Sequence, residues 1–117
     1  MEVNYEYKEV ERLFTNFSVM QKEKGLVITK ILKRRLDEIK ASDTLRIYLT
    51  NAPGKPHLLS GDKKGLIGVT VDRNKRLILK PELDENIEKS LAINKCRKII
   101  IVGVEDYHGG KTTTYIP

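Results

Sequence analysis

The order of local patterns along the chain predicts an α+β fold: an N-terminal strand and a helical hairpin packed on a small antiparallel sheet. Three observations carry this. Residues 1–6 alternate, with Val3 and Tyr5 on one side and Glu2, Asn4 and Glu6 on the other, the period of a half-buried strand. Residues 8–41 place apolar side chains at helical spacing. From Leu66 onward the period returns to two, in segments broken by turn residues. Strand, helices, then strands is the order in which helices pack on one sheet.

The helical region opens with Val10, Leu13, Phe14 and Phe17. Ser18-Val19-Met20-Gln21 fits a capping box, a hydroxyl at the N-cap and a Gln three residues on, so a helix restarts at Ser18. Ile28, Leu32, Leu36 and Ile39 form one stripe with Ile31 beside it, and Lys30, Lys33, Arg34, Asp37 and Glu38 cover the other faces. Gly25 kinks or divides this region. Ser42-Asp43 ends the long helix and caps a short turn through Ile47. Asn51-Ala52-Pro53-Gly54 and Ser60–Gly65 read as loops. Leu66–Lys80 reads as a hairpin: Ile67, Val69 and Val71 alternate, Asp72–Lys75 turns, and Leu77 and Leu79 alternate back. Parity puts Arg76, Ile78 and Lys80 on the opposite face. Residues 81–96 are polar, with room for a short helix over 84–91. Lys98–Val104 is apolar on both faces, the mark of a central strand.

The chain is 117 residues, 39% hydrophobic and 32% charged, which fits a single domain over 1–117, since domains run roughly 50–200 residues. The longest strongly apolar run, Ile99–Val104, is far short of the ~20 residues of a membrane span. The first six residues have no basic head or apolar stretch, so no secretory signal is expected and the location expected is cytoplasmic. One cysteine, Cys96, excludes an internal disulfide and a multi-cysteine zinc site; it is expected to be a small buried hydrophobe. The net charge is +6. Residues 55–80 hold 7 basic and 2 acidic side chains, against 10 and 8 in residues 1–54 and 5 and 6 in residues 81–117. Charge focused in 26 residues is the footprint expected of a polyanion site, RNA or DNA being the usual polyanion.

Two motifs fail on inspection. Gly110-Lys111-Thr112 resembles the end of a phosphate-binding loop, but the pattern needs a glycine where Glu105 stands. Asp72, Asn74 and Arg76 have a calcium-loop spacing, but the third position is cationic and no terminal glutamate follows. No His, Cys or carboxylate set has metal spacing, and no cofactor is expected. What remains is a constellation. The only two histidines, His57 and His108, fall in loops at element ends, with Lys63, Lys64, Arg73 and Arg76 between them. Metal-free RNA cleavage needs a base for the 2′-hydroxyl, cations for the phosphate and an acid for the leaving oxygen. The chain offers candidates for each, in segments expected to meet on one sheet face.

Pro56-His57-x-Leu59-x-Gly61-Asp62-x-Lys64-Gly65, then Asn74-x-Arg76-Leu77, then Ile101-x-x-x-Glu105-Asp106-Tyr107-His108-Gly109 resembles the plasmid-maintenance killer proteins, the HigB-type toxins of the RelE/ParE superfamily. Arg35–Asp43, closing the long basic helix, is similar too, and the likeness covers residues 5–111. It implies a RelE-like α+β fold. It also implies a ribosome-dependent endoribonuclease that cuts mRNA in the decoding site without a metal. A cognate helix-turn-helix antitoxin, HigA-like, would neutralise it. By position, Arg76 matches the family's phosphate or transition-state arginine, His57 the histidine before Leu-x-Gly, and Lys64 the basic residue before glycine. Asp106, Tyr107 and His108 match the Asp-Tyr-His segment proposed for acid–base work or for orienting RNA. Lys63 and Arg73 join the site from charge and position only. Two family aromatics are replaced here by Lys75 and Ile67, removing rings that could stack on a base, and the polar segment 81–96 is extra.

Two rival readings stand beside this one. A ParE-like toxin on the same fold would arrest cells by binding gyrase. A small basic RNA- or ribosome-binding module would do no chemistry. The histidine-bearing segments favour the nuclease, because a binding poison needs no acid–base pair.

Overall fold

A computed structural model describes all residues from Met1 to Pro117. In chain order the elements are β1 (Glu2–Tyr5), α1 (Lys8–Phe14), α2 (Phe17–Lys24), α3 (Leu26–Ala41), α4 (Leu45–Asn51), β2 (His57–Leu58), a 3-10 turn (Gly61–Lys63), β3 (Ile67–Thr70), β4 (Lys75–Pro81), α5 (Lys89–Lys95), β5 (Lys98–His108) and β6 (Lys111–Ile116). No helix is long and apolar enough to cross a membrane. The α+β architecture is the one expected, with the helices on one face of a six-stranded sheet.

The strands run β1-β5-β4-β3-β2, and β6 also pairs with β5. Strand β5 is the hub. One edge takes β4; the other takes β1 along residues 98–101 and then β6 along residues 104–108. All pairings are antiparallel except β1 with β5, which is parallel. The chain traverses most of the domain between those two strands, so it has the long crossover that parallel pairing requires.

The long-helix stripe is buried as expected: Ile28, Leu32, Leu36 and Ile39 pack with Val10, Leu13, Phe14 and Met20 onto Ile67, Val69, Leu77, Leu79, Ile99, Ile101 and Val104. Each large apolar side chain removed from water contributes about 1.5–3 kcal/mol. Cys96 is buried in this core, and burial pushes its thiol pKa up, so it is the inert hydrophobe expected. Arg35 ties helix to sheet, donating from Nε to the Thr70 carbonyl at 2.9 Å while its Nη1 pairs with Glu38 at 3.0 Å.

Several boundaries differ from the expectation. The hairpin over 8–41 is three helices. Gly25, at φ +90°, separates α2 from α3, a conformation glycine adopts without steric cost. The cap of α2 is Asn16, whose side chain accepts from the Val19 N–H; Ser18 lies inside the helix. Thr44 rather than Ser42-Asp43 caps the next helix, which runs on to Asn51. The late helix is α5 at 89–95, held at its start by Glu88, whose carboxylate accepts from the Ser90 and Leu91 N–H groups. Strand β5 does not end at Val104, and residues 111–116 add a sixth strand. Their Lys-Thr-Thr-Thr-Tyr composition has no buried-strand pattern, and only the edge of β5 reveals it.

One irregularity decides the site. Leu77 pairs with Val104 and Ile78 with Gly103, but Leu79 pairs with Ile101. Val102 is the extra residue of a β-bulge, and a bulge shifts the side-chain phase by one. Ile99, Ile101 and Val104 therefore all face the core, and Glu105 and Tyr107 face away from it, beside Arg76. A Cβ on Gly103 would lie 2.2 Å from the Ile116 carbonyl oxygen, so the bulge needs glycine there.

Candidate RNA-cleavage cleft

The sheet face away from the helices carries three adjoining depressions. The central one, about 620 Å³, is lined by His57, Lys63, Arg76, Glu105, Tyr107 and the β6 threonines 112–114, among others. A second, about 460 Å³, shares His57, Arg76 and Tyr107 and adds Thr70, Arg73 and Asn74. A third, about 270 Å³, shares Lys63, Glu105 and Thr114 and is more apolar, with Tyr7, Ile78 and Val102. The shared walls make one trough.

Strand register builds the central cleft. Arg76 of β4 lies opposite Glu105 of β5 and Thr70 of β3; Glu105 and Tyr107 lie opposite Thr114 and Thr112 of β6. His57 comes from the short β2, where it pairs with Gly68. Its Nδ1 is 2.9 Å from the Lys55 carbonyl oxygen, which leaves Nε2 as the free ring nitrogen. Gly68 matters because a Cβ there would sit 2.7 Å from Arg76 Cδ. Its bare backbone lets the arginine lie across β3.

Glu105 is the hub of the cleft's polar groups. Lys63 Nζ donates to its Oε1. The Tyr107 hydroxyl donates to Oε2 at 2.7 Å. Arg76 Nη2 is 3.7 Å from the same oxygen, and the Arg76 guanidinium stacks over the Tyr107 ring at 4.5 Å. Arg76 Nε is buried with no hydrogen-bond partner. A buried orphan donor costs about 1–3 kcal/mol, and an incoming anion would relieve it.

The expected site residues divide by position. His57, Lys63, Arg76 and Tyr107 converge in the central cleft, and Arg73 lines the second depression. Lys64 is exposed and lines neither. His57 and His108 sit in strands rather than loops. Asp106 and His108 do not share the cleft face, because alternation along β5 turns them to the opposite side from Glu105 and Tyr107. There Asp106 Oδ1 lies 2.6 Å from His108 Nδ1, and Lys75 Nζ lies 3.8 Å from Asp106 Oδ2. The pair still touches the trough's rim, since His108 Nε2 is 3.5 Å from Asn74 Nδ2 and Asn74 lines the second depression.

Lys75, which stands where many HigB-type toxins carry an aromatic, lines the second depression but not the central cleft, and its ammonium is held by Asp72, Asp106 and the Tyr115 ring. Asp72 fixes the β3–β4 turn by accepting from the Asn74 and Lys75 N–H groups. Burial alone would raise its carboxyl pKa, but those two hydrogen bonds and the Lys75 ammonium outweigh it and hold the pKa below the ordinary value. No group of three or more His, Cys, Asp or Glu side chains is placed to hold a metal ion.

Glu105, the β6 threonines, Ser60 and Asp62 are polar cleft residues that sequence reasoning missed. Glu105 stood inside the quoted C-terminal segment, but no pattern marked it as the partner of Lys63, 42 residues away.

The fold is similar to those of several solved toxins. The structure is similar to the YoeB/ParE toxin from Agrobacterium tumefaciens, with a TM-score of 0.57 at 10% identity, over 92% of this chain and 99% of that one. It is also similar to a chain of the YoeB–YefM complex from Staphylococcus aureus (TM-score 0.54, 17% identity, 92% and 97% covered). The YoeB dimer from Staphylococcus aureus matches at TM-score 0.53 and 15% identity, with the same coverage. At these identities the likeness is one of fold, that of the YoeB/ParE toxins within the RelE/ParE-like group, and carries nothing specific to HigB. No protein-family model and no curated protein matches the sequence.

Proposed function

We propose that this protein is the toxin of a type II toxin–antitoxin system, a ribosome-dependent endoribonuclease that inhibits translation by cutting mRNA. The carrying observation is the convergence of Arg76, Lys63, His57 and Tyr107 in one cleft on the open face of a YoeB/ParE-like fold. The HigB-type segments of the sequence add the finer reading.

The chemistry follows from the arrangement. The 2′-oxygen of a ribose attacks the adjacent phosphorus while the bond from phosphorus to the 5′-oxygen breaks. A base removes the 2′ proton and an acid supplies one to the departing 5′-oxygen. Arg76 and Lys63 hold the non-bridging oxygens as charge builds on them, and Arg76 offers its unpartnered Nε. His57 serves one proton transfer from the cleft wall. Asp106 and His108 face the other side of β5 and stay outside the cleft, so the second proton transfer falls to water in the open cleft. Tyr107 fixes the Arg76 guanidinium by stacking. Arg73 meets the neighbouring phosphate, and Lys64 contacts RNA or ribosome outside the cleft. The partner is a cognate antitoxin, as the YoeB–YefM complexes illustrate for their own chains, and the setting is the cytoplasm.

Primer extension on a defined mRNA after brief induction tests this. New 5′ ends inside codons of a translated message, absent from a start-codon-disabled copy, are the expected result. Growth arrest with intact message would instead favour a ParE-type poison.

A further inference from the structure

We infer that Glu105 is a positioning residue that sets the cleft for turnover at the expense of affinity. The inference rests on reading the cleft as an RNA phosphate site. Three groups converge on this one carboxylate: the Lys63 ammonium, the Tyr107 hydroxyl at 2.7 Å and the Arg76 guanidinium at 3.7 Å. Its side chain is only 14% exposed, so water screens it weakly. Lys63 and Arg76 reach it from a 3-10 turn and from β4, elements with no other link between their side chains. Glu105 is thus what brings two cations and a hydroxyl to one point.

The same carboxylate occupies the place an anion would take between those cations. A phosphate entering the cleft meets the Glu105 charge and must share or displace its partners. Like charges about 4 Å apart disfavour each other by roughly fivefold even in water, and by more where water is scarce. The gain is geometric. With Lys63, Arg76 and Tyr107 aimed at one point before substrate arrives, less reorganisation remains for the reaction itself. Both Glu105 oxygens already have partners, Lys63 on Oε1 and the Tyr107 hydroxyl on Oε2, so neither is open to a substrate hydroxyl.

Binding and turnover are therefore expected to move in opposite directions. Affinity is read by fluorescence anisotropy with a 2′-O-methyl oligonucleotide, which lacks the nucleophile and cannot be cut. Turnover is read as single-turnover cleavage on programmed ribosomes. Glu105→Gln should bind the oligonucleotide about fivefold tighter, with a salt dependence steeper by about 0.7 per additional phosphate held, and should cleave about tenfold more slowly. Glu105→Asp, with the charge kept but withdrawn by one methylene, should restore wild-type affinity while cleavage stays slow. A side chain needed only for folding would lower both readouts together, and urea unfolding of each variant identifies that case.

Lys63→Ala and Arg76→Ala separate this inference from the reading beneath it. If neither weakens oligonucleotide binding, the phosphate-cleft reading is lost and the role of Glu105 falls with it. If both weaken binding but Glu105→Gln fails to tighten it, or cleaves at the wild-type rate, the cleft stands and the positioning role is overturned.

Discussion

The two faces of the β4–β5 pair are built from interleaved residues of the same strands, yet they do different work. On the helix side, Leu77, Leu79, Ile101 and Val104 are at most 1% exposed and join the main core. On the open side, Arg76, Glu105 and Tyr107 form a charged cleft one residue out of phase with that core. Burial is concentrated on one face and charge on the other, with single-residue resolution. The cleft can hold an orphan donor and a crowded carboxylate because the opposite face supplies the burial that keeps both strands in place.

Substitutions on either side of one strand break this division if it is wrong. The largest stability loss is expected from Leu77→Ala, about 2–5 kcal/mol for a truncated core leucine, read as a shifted urea midpoint. Its neighbour Arg76→Ala should cost less than about 1 kcal/mol, since it removes an unsatisfied donor. It should nonetheless slow cleavage roughly 10²–10³-fold. If Arg76→Ala unfolds the protein, or cleaves normally, the faces are not separable as described.

Gly103→Ala attacks the bulge that sets the phase. Its Cβ meets a backbone oxygen, which can yield only by shifting β6, so a loss of about 3 kcal/mol is expected by the same urea measurement, together with lost cleavage. Gly68→Ala is gentler, because the obstacle is the flexible stem of Arg76. Stability should hold while cleavage drops about tenfold, or 1.4 kcal/mol.

The smallest effect belongs to the turn joining β3 and β4. Asp72→Ala should cost at most about 1 kcal/mol, by analogy with a lost helix cap, because the side chain is 36% exposed. The folded pKa of Asp72 is depressed, so its contribution is complete above the ordinary value of 3.8 and fades as pH falls through the lower folded value. Wild type and variant should therefore differ in unfolding free energy at neutral pH and converge in strong acid.

Much of this molecule was legible in local pattern. The apolar stripe of the long helix, the alternation of β1, the hairpin around Asp72–Lys75 and the apolar centre of β5 are periodic over several residues, and periodicity follows from the geometry of one chain segment. The same parity placed Arg76 opposite Leu77 and Leu79, as observed. Cations concentrated in residues 55–80 pointed to an anion site, and four of the seven, Lys63, Arg73, Lys75 and Arg76, line the trough.

The rest depended on pairing. Straight alternation from Ile99 and Ile101 would put Glu105 and Tyr107 in the core and Asp106 and His108 on the open face; the bulge at Val102 reverses this. A bulge is a mismatch between two strands and has no signature within either. Strand β6 exists because β5 has a free edge beyond β1, and Lys63 meets Glu105 because the 3-10 turn between β2 and β3 lets its side chain reach across the open face. The sequence by itself determined which segments are helical or extended and which chemistry they carry. Tertiary structure alone decided which side chains share the cleft, because strand phase is a property of paired chains.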